Sequence, residues 1–262
     1  MRHHFDDPVT AYMTHSLETA QLGTSIDQIA RVMHERGISG VPIVDGDGKL
    51  AGVVTRTDLI KLGLLQAGLR PHDRTMPLPA RRASEVMTRE PFEVSSTTSL
   101  RRAARMMIDH EIHRVFVTDA GSLVGILCTI DLAMAVRHTR IDTPLSSVMT
   151  VPVVTIDVGD PLGSAVALLD RAHLAGLIVT EEGQPIGMFS QLEALASRDL
   201  PRGTPVEAVY SAAVICLPEE IKLHRAAAHV AQLDVRRVVV CKAREAVGIV
   251  TATDFARIVA LS

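Results

Sequence analysis

The sequence predicts an α/β (α+β) fold made of four copies of one β-α-β-β-α unit. Three observations predict it. An opening tripeptide recurs four times: Tyr12-Met13-Thr14, Val86-Met87-Thr88, Val148-Met149-Thr150 and the weaker Val209-Tyr210-Ser211. A closing motif follows each, with its acid at positions 58, 131, 193 and 254, so that the steps are 73, 62 and 61 residues. Between the two markers lies a stretch with helical periodicity. Four ordered recurrences at a near-constant step mark an internal repeat.

The closing motif reads Gly52-Val53-Val54-Thr55-Arg56-Thr57-Asp58 in the first copy and Gly125-Ile126-Leu127-Cys128-Thr129-Ile130-Asp131 in the second. It reads Gly187-Met188-Phe189-Ser190-Gln191-Leu192-Glu193 in the third and Gly248-Ile249-Val250-Thr251-Ala252-Thr253-Asp254 in the fourth.

The first helix of each copy carries apolar residues at i, i+3, i+4 and i+7, a single buried stripe. The stripes are Ile26, Ile29, Ala30, Met33; Leu100, Ala103, Ala104, Met107; Leu162, Ala165, Val166, Leu169; and Leu223, Ala226, Ala227, Val230. Ser25 and Ser99 read as N-caps, Asp160-Pro161 as a cap followed by proline in the first turn. Pro218-Glu219-Glu220 reads as the start of the fourth such helix. In every copy 12 residues separate the first stripe residue from the next strand (Ile26 to Ile38, Leu100 to Ile112, Leu162 to Leu174, Leu223 to Val235). Strands follow around Val41–Val44, Val115–Val117, Leu177–Val179 and Val238–Val240. A polar hairpin such as Asp45-Gly46-Asp47-Gly48 leads into the Gly-apolar-apolar strand. A final helix then runs from about Leu59, Leu132, Leu192 and Phe255. The copies span 8–65, 83–138, 144–197 and 205–262. Proline-bearing linkers at 66–82, 138–144 and 197–205 join them. A unit of some 55 residues has little core of its own, so copies are expected to pair.

Composition narrows the function. Aromatic residues are 3% of the 262, with no Trp, so stacking platforms for single-stranded nucleic acid are nearly absent. The net charge of −3 gives no broad basic surface for a phosphate backbone. Three cysteines, Cys128, Cys216 and Cys241, without CxxC spacing suit a reducing cytosol. No signal peptide opens the chain and no apolar run is long enough to span a bilayer, so a cytoplasmic location is expected. No GxSxG, HExxH or P-loop is present, and Gly46-x-Gly48-x-x-x-Gly52 lies between two strands, unlike a dinucleotide fingerprint. His110 and His113 straddle a helix end and assemble no metal set.

The Val-Met-Thr opening, the Ile38-Ser39-Gly40-Val41-Pro42-Ile43-Val44-Asp45 strand and the Gly52-to-Asp58 closing motif resemble the cystathionine-β-synthase (CBS) domain, over nearly the whole chain. The resemblance implies that two units pair about a pseudo-two-fold axis into a Bateman module. The pairs are expected to be 8–138 and 144–262, stacked as a monomeric disc or through a homodimer. It also implies a regulatory, signal-transducing role without catalysis, a required cofactor or a metal. The expected ligand is an adenine nucleotide (AMP, ADP or ATP) or S-adenosylmethionine, and the expected partner an unidentified effector protein, not nucleic acid or a membrane.

The resemblance gives the acids Asp58, Asp131 and Asp254 to a ribose diol, and Glu193 stands at the same position in the third copy. A carboxylate three residues after Thr or Ser is equally a helix cap. The hydroxyls Thr55, Ser190 and Thr251, with Thr57 and Thr253 beside them, suit phosphate at a helix N-terminus. Cys128 offers only a weak donor there. Just before the middle strand, odd copies have small pairs, Ser39-Gly40 and Ala175-Gly176, while even copies have basic pairs, His113-Arg114 and Arg236-Arg237. In the family the His-Arg position often reaches ligand phosphates. The small pair admits close backbone approach and the basic pair supplies charge-assisted donors. One anionic-ligand site per module is therefore expected, against the alternative of surface cations at a strand start.

Overall fold

Glycine at the head of the closing motif and methionine in the opening tripeptide meet in space, but never within the same repeat. The computed structural model describes residues 4–68, 75–233 and 235–262. A Cβ on Gly125 would overlap the sulfur of Met13, and one on Gly52 the sulfur of Met87. Gly248 meets Met149 in the same way, and Gly187 meets the ring of Tyr210. Repeats 1 and 2 thus exchange opening segments, and so do repeats 3 and 4. Backbone hydrogen bonds seal each exchange: Thr14 N–H to Ile126 O at 2.9 Å with Ile126 N–H back to Thr14 O at 3.0 Å, and likewise between Thr150 and Ile249 and between Ser211 and Met188.

The first repeat holds β1 (Ala20–Gln21), α1 (Ile26–Glu35), β2 (Gly40–Val44), β3 (Leu50–Thr55) and α2 (Arg56–Gly68). The second holds α3 (Ala83–Val86), β4 (Thr88–Arg89), β5 (Glu93–Ser95), α4 (Leu100–Asp109), β6 (Arg114–Asp119), β7 (Ser122–Cys128) and α5 (Asp131–His138). The third holds β8 (Thr155–Asp157), α6 (Leu162–Arg171), β9 (Gly176–Glu181), β10 (Gln184–Ser190) and α7 (Gln191–Ala196). The fourth holds β11 (Cys216–Pro218), α8 (Leu223–Leu233), β12 (Arg237–Lys242), β13 (Glu245–Thr251) and α9 (Ala252–Leu261). In every repeat the first strand pairs parallel to the middle one, which pairs antiparallel to the third. Each hairpin carries a bulge next to the closing-motif glycine or one residue before it. β4, part of the second repeat's opening segment, adds a fourth strand against β3.

All sixteen stripe residues are buried. Ser25 and Ser99 cap as expected, accepting from the backbone N–H of Gln28 and Arg102. Two expected starts differ. Pro161 is itself the N-cap and Asp160 accepts from Asp157 N–H, so the turn before α6 uses the aspartate and not the helix. Pro218 ends β11, and α8 starts five residues later at Leu223, because the parallel pairing with β12 holds Pro218 opposite Cys241. The second helices begin a few residues earlier than the apolar pattern suggests, at Arg56, Gln191 and Ala252, right after the closing strand. Pro71 of the first linker lies outside the described residues.

The chain divides into two compact units. One is formed by residues up to Leu17, Pro91–Val153 and Ile215–Ser262; the other by Glu18–Glu90 and Val154–Val214. Each joins the bodies of alternate repeats, second with fourth and first with third, together with the opening segment of a neighbour. The physical reason is helix packing. In the second-and-fourth unit α4 lies on α9, and α5 on α8 and α9, around Leu100, Met107, Leu132, Val230, Phe255 and Val259. In the first-and-third unit α2 lies on α7, and α1 on both, around Ile29, Met33, Leu59, Leu169 and Leu195. Neighbours in sequence are tied through the exchanged opening segments.

Candidate functional site

Each middle strand begins beside the N-terminus of its own repeat's second helix. The backbone fixes this four times over. Arg56 N–H donates to Ser39 O (3.2 Å), Thr129 N–H to His113 O (3.0 Å), Gln191 N–H to Ala175 O (3.3 Å) and Ala252 N–H to Arg236 O (3.1 Å). The pairs singled out in sequence, Ser39-Gly40, His113-Arg114, Ala175-Gly176 and Arg236-Arg237, are therefore each pinned against a helix end that carries unpaired amide dipoles.

In all four repeats the acid of the closing motif bonds back to the residue three before it. The N–H of Thr55, Cys128, Ser190 and Thr251 donates to Asp58 (2.8 Å), Asp131 (2.7 Å), Glu193 (2.8 Å) and Asp254 (2.8 Å). The hydroxyls of Thr55, Ser190 and Thr251 donate to the same carboxylates. In the third and fourth copies this is a capping box, and Asp58 repeats it with Thr55; in the second, Asp131 is the first residue of α5 and bonds back to Cys128 N–H, with no side-chain cap from the N-cap Ile130. Glu193 completes its box despite its extra methylene. In Asp58 both bonds fall on Oδ2. Asp254 is buried, and its other oxygen Oδ1 accepts from Arg257 Nη1 at 2.9 Å.

The second-and-fourth unit gathers the cations. Arg114, Arg236 and Arg237 each act electrostatically on His113, and Thr253 Oγ1 lies 3.4 Å from His113 Nδ1. Burial, then the charges of Arg114, Arg237 and Arg236, push the His113 pKa below its ordinary value. Cys128 lies in the same field. Burial raises its thiol to about 11, with the Asp131 carboxylate adding to that and the Arg114 and Arg236 guanidiniums opposing it. His110 is not part of this group: its ring packs against Phe92 with centroids 4.4 Å apart.

The first-and-third unit gathers the small pairs and has no counterpart of this charge at those positions. There Thr57 Oγ1 and the Gln191 amide meet at 3.2–3.3 Å, linking the N-termini of α2 and α7. The two small pairs thus lie in one unit and the two basic pairs in the other. Gln191 and Arg257 were missed in sequence, although both lie within three residues of a motif acid. A glutamine beside a capping serine, and an arginine one helical turn after an aspartate, were the available signals.

The family model of the CBS domain matches four segments, residues 9–64, 83–138, 145–197 and 206–261. This chain belongs to the CBS domain family. Among similar proteins, an uncharacterized protein of Thermofilum pendens encoded in a ribosomal RNA operon is 27% identical over 197 residues, covering 70% of this chain and 61% of that protein. The uncharacterized protein MJ1404 of Methanocaldococcus jannaschii is 26% identical over 281 residues, covering 99% and 63%. The chain thus spans about six-tenths of the length of these two relatives. The crystal structure of protein MJ1225 of the same archaeon, a candidate homolog of g-AMPK, superposes with a TM-score of 0.80 at 17% identity, over 96% of this chain and 99% of that one. At that identity the likeness shows the fold. Among the described residues no helix is long and apolar enough to cross a membrane.

Proposed function

We propose that this four-CBS protein is a regulator that binds the phosphate of an adenine nucleotide, or a related anionic adenosyl metabolite, at the cationic pairs of its second and fourth repeats, without catalysis. The observation that carries the reading is the convergence of His113, Arg114, Arg236 and Arg237 in one unit. Arg114 and Arg237 open β6 and β12, and each pair sits against the positive end of α5 or α9. Guanidinium forks match phosphate oxygens. The adenine specificity rests on what the family resemblance implies.

The test is a thermal-shift and calorimetric titration of the purified protein with AMP, ADP, ATP and S-adenosylmethionine. Binding at 100 times the dissociation constant stabilises by about 2.7 kcal/mol. Arg114→Ala and Arg237→Ala should each weaken the nucleotide that binds by roughly tenfold or more, since a charge-assisted hydrogen bond contributes about 1.5–3 kcal/mol. Unchanged affinity in both variants overturns the assignment of the phosphate.

A second reading, a ligand-free interaction or dimerisation scaffold, is favoured by the bond that each of the four acids makes back to its own closing motif. It predicts no shift with any of the four compounds and unaltered oligomer mass when they are added.

A further inference from the structure

Cys216 opens β11 and Cys241 lies near the end of β12, and these strands run parallel side by side. The register sets Cys216 opposite Val239 and Pro218 opposite Cys241, so the two cysteines stand two residues out of step on one face of the sheet. The two thiols influence one another, Cys216 is exposed and Cys241 is half-buried. With strands about 4.8 Å apart and a rise of about 3.3 Å per residue, the offset puts the two Cα atoms roughly 8 Å apart. That exceeds the span of about 7 Å beyond which a disulfide needs backbone movement. At that offset the backbones stand too far apart for a disulfide without movement, while both side chains project from the same face of the sheet. Among the described residues no group of three or more His, Cys, Asp and Glu side chains is placed to hold a metal. The nearest carboxylate along β11, Glu219, is engaged with Lys242 at 2.7 Å.

We propose that Cys216 and Cys241 form a two-thiolate seat for a soft monovalent d10 cation of the Cu(I) or Ag(I) class. Such ions prefer thiolates and accept two ligands in line, whereas Zn²⁺ in a structural site asks for four. Each thiol gives up its proton to solvent as its sulfur binds. Because binding releases thiol protons, uptake strengthens as pH rises. Cys128, enclosed in the other corner of its unit beside Asp131, is the internal control.

The full chain, reduced and under anaerobic conditions, is titrated into the coloured bis-bicinchoninate complex of Cu(I). The expected result is withdrawal of one copper per chain, weakened by about tenfold or more in Cys216→Ser and in Cys241→Ser, because losing one thiol removes the chelate advantage. Cys128→Ser should withdraw copper like the wild type. Circular dichroism of each variant shows that it is folded, and Ag(I) followed by native mass spectrometry gives the stoichiometry independently. No withdrawal by the wild type overturns the proposal. So does equal withdrawal by the Cys216→Ser/Cys241→Ser double variant, or uptake that follows Cys128.

Discussion

Met13 lays its sulfur over Gly125, in the space a Cβ would occupy, although the two residues belong to different repeats. The same contact recurs between Met87 and Gly52 and between Met149 and Gly248. The glycine is required by close approach, and the methionine is the knob that fills the gap. Gly125→Ala should therefore displace the opening segment of repeat 1 and cost about 1–3 kcal/mol by overpacking. Met13→Ala on the Gly125→Ala background should recover part of that loss, because it removes the colliding sulfur. Urea unfolding of the single and double variants measures both; a Gly125→Ala protein as stable as wild type would show the exchange to be loosely packed.

The acid that ends each closing motif bonds back three residues in all four repeats, yet the four are not equivalent. Asp254 is 4% exposed and accepts from Thr251 and Arg257. Asp58 is half-buried and bonds only to Thr55. Asp254→Ala should cost about 2 kcal/mol, through a lost cap and an uncompensated buried N–H. Asp58→Ala should cost about 1 kcal/mol. The half-exposed Arg257 adds little to the difference, because solvent screens such a pair. Denaturant midpoints rank the two; the reverse order would refute the burial argument.

Much of this architecture was readable from the chain. The sixteen stripe residues, Ser25 and Ser99 obey local rules of periodicity and capping, and local rules survive folding. The repeat boundaries followed from the markers for the same reason. What sequence order did not reveal is which repeats share a core. That depends on the outer faces of α4, α5, α8 and α9, and their apolar patterns match one another as well as they match those of α1, α2, α6 and α7. The exchange of opening segments was equally hidden: Met13 fits Gly52 as well as Gly125 by chemistry. The basic pairs were visible as an alternation of small and cationic residues, but their convergence within one unit is a consequence of the same packing. Pro218 misled because proline and acids suit a helix start and a strand end alike.

His113 gives a pH test. Its pKa is lowered in the folded protein by burial, with Arg114, Arg237 and Arg236 adding to the effect. The unfolded chain then binds the proton more readily than the folded one, so stability is present above the unfolded value of about 6.5 and falls as pH drops below it toward the folded value. His113→Gln should flatten this part of the stability profile. An anion placed among the same cations lowers the cost of charging the imidazole, so phosphate binding should strengthen over the same acid range. Unfolding at pH 5, 6 and 7.5, with and without nucleotide, separates the two effects. A His113→Gln profile that parallels wild type would remove this histidine from the argument.

Phe255 tests which repeats share a core. It is fully buried in α9 of the fourth repeat, in a cluster that includes Leu100 and Met107 of the second. α9 lies along α4, and Arg105 Nη2 donates to Ala260 O at 2.8 Å across that boundary. Phe255→Ala should cost about 3–5 kcal/mol, the transfer term together with the cavity. Amide hydrogen exchange should then report where the structure loosens. Protection should fall most in α9 and in α4, more than a hundred residues earlier in the chain, because cooperative units follow packing and not sequence distance. α6 of the third repeat, which belongs to the other core, should keep more of its protection. Greater loss in α6 than in α4 would mean that the repeats cooperate in chain order after all.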